Sequence, residues 1–197
     1  MEALVEAQRT HKLAHQTVLV ISNKADAYGL VRAKNLVVPH LLVEQCSAGE
    51  ALTREEHERR IIKHLDQHDV ELIVLAGYMR LLSPSFVARY PNRIVNIHPS
   101  LLPNFPGAHA HRDVLHAGVS VTGCTVHFVD EGMDTGSRLA QAIVPVFEDD
   151  TEASLAERVK VEEHRLYPTV LSWIAEGHLR ITPQGIEVDG VQDRLVS

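Results

Sequence analysis

The stretch Arg93-Ile94-Val95-Asn96-Ile97-His98-Pro99-Ser100-Leu101-Leu102-Pro103 decides the reading of this chain. Arg93 to His98 is rich in β-branched residues and stops at a proline, which predicts a strand ending at a rim. Alternate side chains of a strand point to opposite faces. Ile94, Asn96 and His98 therefore share one face, and Val95 and Ile97 the other. An asparagine and a histidine together at a strand's carboxyl end are unusual for a core, and in open α/β sheets that end is where ligands bind. These residues alone allow two readings: a satisfied core histidine beside a terminating proline, or a catalytic pair.

Strands and helices alternate outward from this segment. Upstream, helices are expected over Met1 to Gln8 and Ala27 to Lys34, and strands over Thr17 to Ser22, Val37 to Val43 and Glu71 to Ala76. Thr53 and Glu56 make a capping box that opens a helix running to about His68, with Ile61, Ile62 and Leu65 as its apolar stripe. Pro84 to Arg89 reads as a short helix. Downstream of the Pro-rich loop, Pro99 to Gly107, come a helix near Ala110 to Ala117 and strands over Val121 to Val129 and Leu139 to Val146. Pro145 pushes the last of these towards a sheet edge. A long helix follows from Thr151 to about Trp173, with a kink expected at Pro168, and then a hairpin within His178 to Val188. This alternation predicts an α/β fold with an open, mostly parallel, Rossmann-like sheet. The length of 197 residues fits a single domain, residues 1–197.

After the strand ending His127-Phe128-Val129 comes Asp130-Glu131-Gly132-Met133-Asp134-Thr135-Gly136. Such a Gly-bounded acidic run is an ordinary solvated turn, or a loop whose carboxylate reaches a neighbouring strand's histidine. His109 and His111 lie two apart, but no Cys or Glu completes a recognisable metal set. No nucleophile elbow, Walker loop or G-x-G-x-x-G is present, and Ser100 has no base arrangement beside it.

The net charge of −7 argues against a nucleic-acid backbone binder, which would show a basic face. Cys46 and Cys124 stand outside C-x-x-C and zinc spacings, which fits a reducing, cytoplasmic setting; Cys124 reads as buried and inert. No apolar run approaches the ~20 residues of a membrane span. The first residues lack a signal peptide's basic start.

At this point several runs resemble one family: Asn96 to Gly107 (NIHPSLLPNFPG), Val121 to Gly136 (VTGCTVHFVDEGMDTG), Ser22 to Leu30 (SNKADAYGL), Leu75 to Pro84 (LAGYMRLLSP) and Glu157 to Pro168 (ERVKVEEHRLYP). They look like the folate-dependent formyltransferases, and the HPSLLP wording favours the glycinamide ribonucleotide formyltransferases of purine biosynthesis over the related deformylases and methionyl-tRNA formyltransferases. The likeness runs in order from Met1 to about Trp173.

The resemblance implies a Rossmann-like formyltransferase fold and 10-formyl-tetrahydrofolate as cosubstrate, with no metal. His98 matches the general acid/base, and Asn96 the donor to the formyl oxygen. Asp134 matches the carboxylate that favours the charged imidazole and orders a water. Met79, Arg80, Leu81 and Leu82 match the folate-pocket segment, Val129, Asp130 and Asp134 its pterin side, and Arg54 a folate-contacting arginine. Lys160 and Glu163 match the pair that contacts the ribonucleotide; three apart on a helix, they share a face.

The family's pattern opens with a strand and a Gly-rich G-x-G-S-N loop that binds phosphate through backbone N–H groups. This sequence starts at Met1, where the following helix is expected, so it is N-terminally incomplete relative to that pattern, and its sheet is expected to lack a central strand. Ser137-Arg138 stand where relatives carry Pro and an apolar residue, and Arg138 is placed to perturb Asp134. The expected function is formyl transfer to the amine of glycinamide ribonucleotide by a monomer or homodimer acting on small molecules, without nucleic-acid or membrane partners. The alternatives are a formyl-tetrahydrofolate hydrolase and a non-catalytic folate-binding protein, both motivated by the absent phosphate loop.

Overall fold

The structure is a computed structural model and describes residues 1–10, 13–47, 49–182, 185–189 and 195–196. Its helices are α1 (Glu2–Arg9), α2 (Tyr28–Asn35), α3 (Arg54–Gln67), α4 (Pro84–Arg89), α5 (Ala110–Ala117) and α6 (Glu152–Ala175). The strands of the first half are β1 (Val20–Ser22), β2 (His40–Leu42), β3 (Cys46–Ser47), β4 (Glu50–Ala51) and β5 (Ile73–Val74). Those of the second are β6 (Ile94–His98), β7 (Val121–Phe128), β8 (Arg138–Pro145), β9 (Leu179–Thr182), β10 (Gly185–Val188) and β11 (Leu195–Val196).

Five strands form the main sheet in the order β11-β8-β7-β6-β5. The β5–β6 and β8–β11 pairs are parallel, while β6–β7 and β7–β8 are antiparallel. The sheet is thus mixed, because β7 and β8 follow one another through a loop rather than through a crossover helix. Strands β1 and β2 pair in parallel as a separate sheet, not bonded to β5 among the described residues. The interruption of the sheet expected from the resemblance is present.

Alternation along β6 builds the core. Val95 enters a cluster with Cys124, Val126, Ala142 and Val144 of β7 and β8, and with Leu155, Val159, Leu166 and Val170 of α6. Ile94, one residue earlier, points the other way into a cluster with Leu65, Leu82, Phe86 and Tyr90. A third cluster, Val5, Ala33 and Val38, lies under α1 and α2. Each fully buried side chain of this kind contributes about 1.5–3 kcal/mol.

Local chemistry fixes the helix starts. Thr53 Oγ1 accepts the Glu56 N–H at 3.1 Å, and the Glu56 carboxylate accepts the Thr53 N–H at 2.9 Å, the capping box read from the sequence. Ser83 caps α4 by accepting the Phe86 N–H at 3.2 Å, and its own N–H and hydroxyl both go to the buried carboxylate of Glu58. Helix α6 continues through Pro168, and the neighbouring Tyr167 hydroxyl reaches the carbonyls of Leu75 at 2.8 Å and Val95 at 2.9 Å.

One expectation is corrected. Strand β8 is not an edge: β11 pairs with Gln141 and Ala142, while Pro145 ends β8 opposite Val121. The proline falls beyond the two-residue reach of β11, where its missing N–H leaves no ladder bond unmade. Among the described residues no helix is long and apolar enough to cross a membrane.

Candidate active site

The antiparallel register of β6 on β7 sets Asn96 opposite His127 and His98 opposite Thr125. Directly opposed residues put their side chains on the same face within reach of one another. Asn96, His98, Thr125 and His127 therefore form one patch, on the face turned away from α6.

His98 is buried. Its Nε2 donates to the Phe105 carbonyl at 2.8 Å, and its Nδ1 lies 3.4 Å from Asp134 Oδ2. Both ring nitrogens face acceptors. Asp134 comes from the loop between β7 and β8 and takes a left-handed backbone, φ 56°. Asp is among the few residues that tolerate this conformation. The loop is tied at Asp130, whose carboxylate accepts the Gly132 N–H at 3.0 Å and the Thr135 hydroxyl at 2.7 Å. Gly136 is required at its end, since a Cβ there would collide with the Phe128 carbonyl oxygen. The Gly107 N–H, donated at 2.8 Å, holds Asp134 Oδ2 in place.

The Pro99–Gly107 loop supplies two of these contacts and is itself pinned to the sheet. The Thr125 hydroxyl donates to Ser100 O at 2.6 Å and accepts the Leu102 N–H at 3.0 Å. Gln141 donates to Leu102 O at 3.0 Å and to Thr125 Oγ1 at 2.9 Å. The Leu102–Pro103 peptide is cis. Ser100 Oγ, which has no base beside it, bonds the Asn104 and Phe105 carbonyls instead.

His127 was not singled out from the sequence. Its Nδ1 donates to Phe128 O at 2.8 Å, and its Nε2 stands 3.2 Å from Asn96 Nδ2 and 3.8 Å from Asp134 Oδ1. Burial pushes this imidazole below its ordinary value, against the Phe128 carbonyl and Asp134, which pull it up. Its one signal in the sequence was its place on the same face as Thr125, two residues before Val129. His111 lies near His98 and is lowered chiefly by burial, with Glu152 opposing. His109 precedes α5 and is exposed.

The remaining sequence-derived candidates fall into two groups. Met79 and Leu81 are exposed between β5 and α4, whereas Leu82 is buried in the cluster that Val129 also packs against. That cluster brings the segment from Met79 to Leu82 towards the loop bearing Asp130 and Asp134. Arg80 and Arg54 lie close enough to Tyr78 to oppose the upward push that burial gives its phenol. Met133 is exposed, with its sulfur against Gly107, at the rim of the His98 site.

Lys160 and Glu163 stand apart from this group, on α6 and so across the sheet from Asn96 and His98. Lys160 pairs with Glu157 at 3.1 Å rather than with Glu163. Burial raises the Glu163 carboxyl, against Lys160 and the Met1 amine. Arg138 makes no ion pair with Asp134 among the described residues. Among those residues, too, no three His, Cys, Asp or Glu side chains gather as a metal-binding set.

A profile of the formyl transferase family matches residues 1–171. The chain is 42% identical over 191 residues to the phosphoribosylglycinamide formyltransferase of Escherichia coli strain K12, covering 96% of this chain and 88% of that protein. It is 38% identical over 190 residues to the enzyme of the same name from Haemophilus influenzae, covering 96% and 88%. The crystal structure of glycinamide ribonucleotide transformylase 1 from Symbiobacterium toebii superposes with a TM-score of 0.90 at 42% identity, over 95% of this chain and 87% of that one. The family match takes in β6, the loop after it and the loop that carries Asp134, and the chain belongs to the formyl transferase family.

Proposed function

We propose that this chain, as a cytoplasmic enzyme, transfers a formyl group from 10-formyl-tetrahydrofolate to the amine of glycinamide ribonucleotide in purine biosynthesis. The observation that carries the reading is one rim holding an amide donor, Asn96, and an imidazole, His98, beside a carboxylate, Asp134. The 42% identity to the E. coli enzyme supports the choice of amine.

The folate cosubstrate supplies the formyl group. The neutral amine attacks the formyl carbon, negative charge grows on the formyl oxygen, and the bond from carbon to the folate nitrogen breaks. One proton leaves the amine and one joins the departing nitrogen, so the protons balance. Asn96 donates an N–H to the growing oxyanion, the kind of fixed donor whose removal costs about 10²–10³ in rate. His98 carries its Nδ1 proton 3.4 Å from Asp134, longer than the 2.7–2.9 Å of a strong charge-assisted bond. His98 can pass a proton between the amine and the departing nitrogen. The Asp134 carboxylate faces the Nδ1 edge of the ring. No step of this scheme uses a metal.

The exposed apolar side chains of Met79, Leu81 and Met133 beside the site suit a flat, partly apolar ring system. In this reading Arg54, Met79, Arg80, Leu81, Leu82, Val129 and Asp130 hold the folate. Lys160 and Glu163 contact the ribonucleotide, which reaches round the carboxyl ends of the strands to His98. The Glu163 carboxylate can accept hydrogen bonds from sugar hydroxyls.

The test follows conversion of 10-formyl-tetrahydrofolate to tetrahydrofolate with and without glycinamide ribonucleotide. Turnover that needs the ribonucleotide, with formylated product by mass, is expected. Formate release without it would assign a hydrolase, and folate binding without turnover a binding protein.

A further inference from the structure

We infer that His127 is a positioning residue whose bare Nε2 accepts a hydrogen bond from Asn96 and so aims the other amide N–H of Asn96 at the reacting oxygen. This rests on the formyl-transfer reading above.

A carboxamide has two ends of nearly equal shape and opposite chemistry: an acceptor oxygen and a donor NH₂. Packing alone does not decide which end faces which way, so a hydrogen-bond partner must. The polar partner of the Asn96 amide among the described residues is His127, at 3.2 Å. His127 has no freedom of its own. Its Nδ1 lies 2.8 Å from the Phe128 carbonyl, which can only accept, so Nδ1 carries the proton. In a neutral ring Nε2 is then bare and can only accept. Asn96 must present its NH₂ there, which spends one N–H and leaves the second free. Turned over, Asn96 would set its oxygen against the Nε2 lone pair and against the developing oxyanion as well.

The arrangement holds only while the ring is neutral. The groups that face it are Asp134 at 3.8 Å and Asp130 from the loop, the Phe128 carbonyl and His98 across on β6; Arg138, its partner in the ladder with β8, is exposed. Burial, with His98 adding to it, opposes the cation, while the Phe128 carbonyl and the two carboxylates favour it. Once charged, the ring would donate from Nε2 to Asp134 or to the Asn96 oxygen, and the amide would turn. Acid then removes the oxyanion donor through Asn96 without displacing any backbone.

The test uses the full chain labelled with ¹⁵N on histidine and asparagine. Near neutral pH the His127 ring should show a protonated Nδ1 and a bare Nε2. On acidification the His127 ring signals and the Asn96 amide signals should move with one midpoint. A protonated Nε2 at neutral pH, or independent midpoints, overturns the proposal. In kinetics, His127→Leu should lower kcat about tenfold to a hundredfold with KM for both substrates unchanged. His127→Gln, which can offer an acceptor oxygen, should recover most of that loss. A folded leucine variant with wild-type kcat also overturns it. If the leucine variant does not fold, the spectra of the wild-type chain decide. If the wild-type chain transfers no formyl group, the functional reading fails, and the same spectra still decide whether His127 orients Asn96.

Discussion

Asp134 Oδ2 lies 3.4 Å from His98 Nδ1 while the same oxygen accepts the Gly107 backbone N–H at 2.8 Å. The backbone contact, not the histidine, is therefore what fixes the carboxylate. Asp134→Asn keeps an acceptor for Gly107 and loses the charge facing His98. Its kcat should fall by about 10²–10⁴, the range for general acid–base groups, with a melting temperature close to wild type. A variant with full kcat would show that the imidazole works without its carboxylate.

The Asp134 loop depends on Gly136, where a Cβ would strike the Phe128 carbonyl oxygen. The obstacle is backbone, so no side chain can swing aside. Gly136→Ala should destabilise the chain by about 1–3 kcal/mol and lower kcat together with it, as Asp134 is displaced. Denaturant midpoint and kcat are the two readings, and a stable variant with unchanged turnover would contradict the contact.

Thr125 holds the loop after β6 through one buried hydroxyl that serves Ser100 O, Leu102 N and Gln141. Thr125→Val keeps the volume and strands those groups, which should cost about 1–3 kcal/mol for the unmet N–H. Thr125→Ser should cost much less. If valine proves as stable as serine in chemical denaturation, the hydroxyl network does not anchor the loop.

Across the sheet, Glu163→Gln offers a selective test of the α6 face. KM for the ribonucleotide should rise about tenfold, equivalent to some 1.4 kcal/mol of binding, with KM for the folate unchanged. Equal effects on both substrates would point to a structural role for Glu163.

Stability should also depend on pH in a defined sense. Burial holds His15, His111 and His127 below the ordinary imidazole value of 6.5. As pH falls through 6.5, the unfolded chain takes up protons at these positions before the folded one does, so stability drops. Above that value both states are neutral there and the slope vanishes. Glu163, raised from 4.5, works in the opposite sense, losing its contribution as pH rises through that lower region. A denaturant midpoint that stays flat from pH 6.5 to about 5.5 would contradict the buried neutral imidazoles.

How much of this was legible in the sequence follows from how local each signal is. The Thr53–Glu56 capping box spans four residues and is found as read. The shared face of Asn96 and His98 follows from the period of a single strand, and the clusters on either side of β6 confirm it. Asp134 was reached through resemblance, since nothing in an acidic turn says which histidine it meets. His127 stayed hidden because its role depends on the register of β6 against β7, a pairing between residues 31 apart in the chain. The hairpin of β3 and β4, and strand β11, are two-residue pairings too short to show a period. Lys160 and Glu163 share a helix face as their spacing required, but the spacing could not reveal that Lys160 pairs with Glu157 instead.

The break between the β1–β2 pair and the main sheet has a consequence for how the molecule breathes. Tyr167 ties α6 to β6 and to Leu75 just after β5, and α1 joins the same core through Leu4 and Ala7, whereas α2 and the β1–β2 pair pack chiefly around Val5, Ala33 and Val38, with Ile21 reaching the Leu65 cluster. Native-state amide exchange should therefore resolve two cooperative units. The segment from β1 to β2, with α2, opens at a lower free energy, and the unit that holds α1, Asn96, His98 and Asp134 stays protected until the whole molecule unfolds.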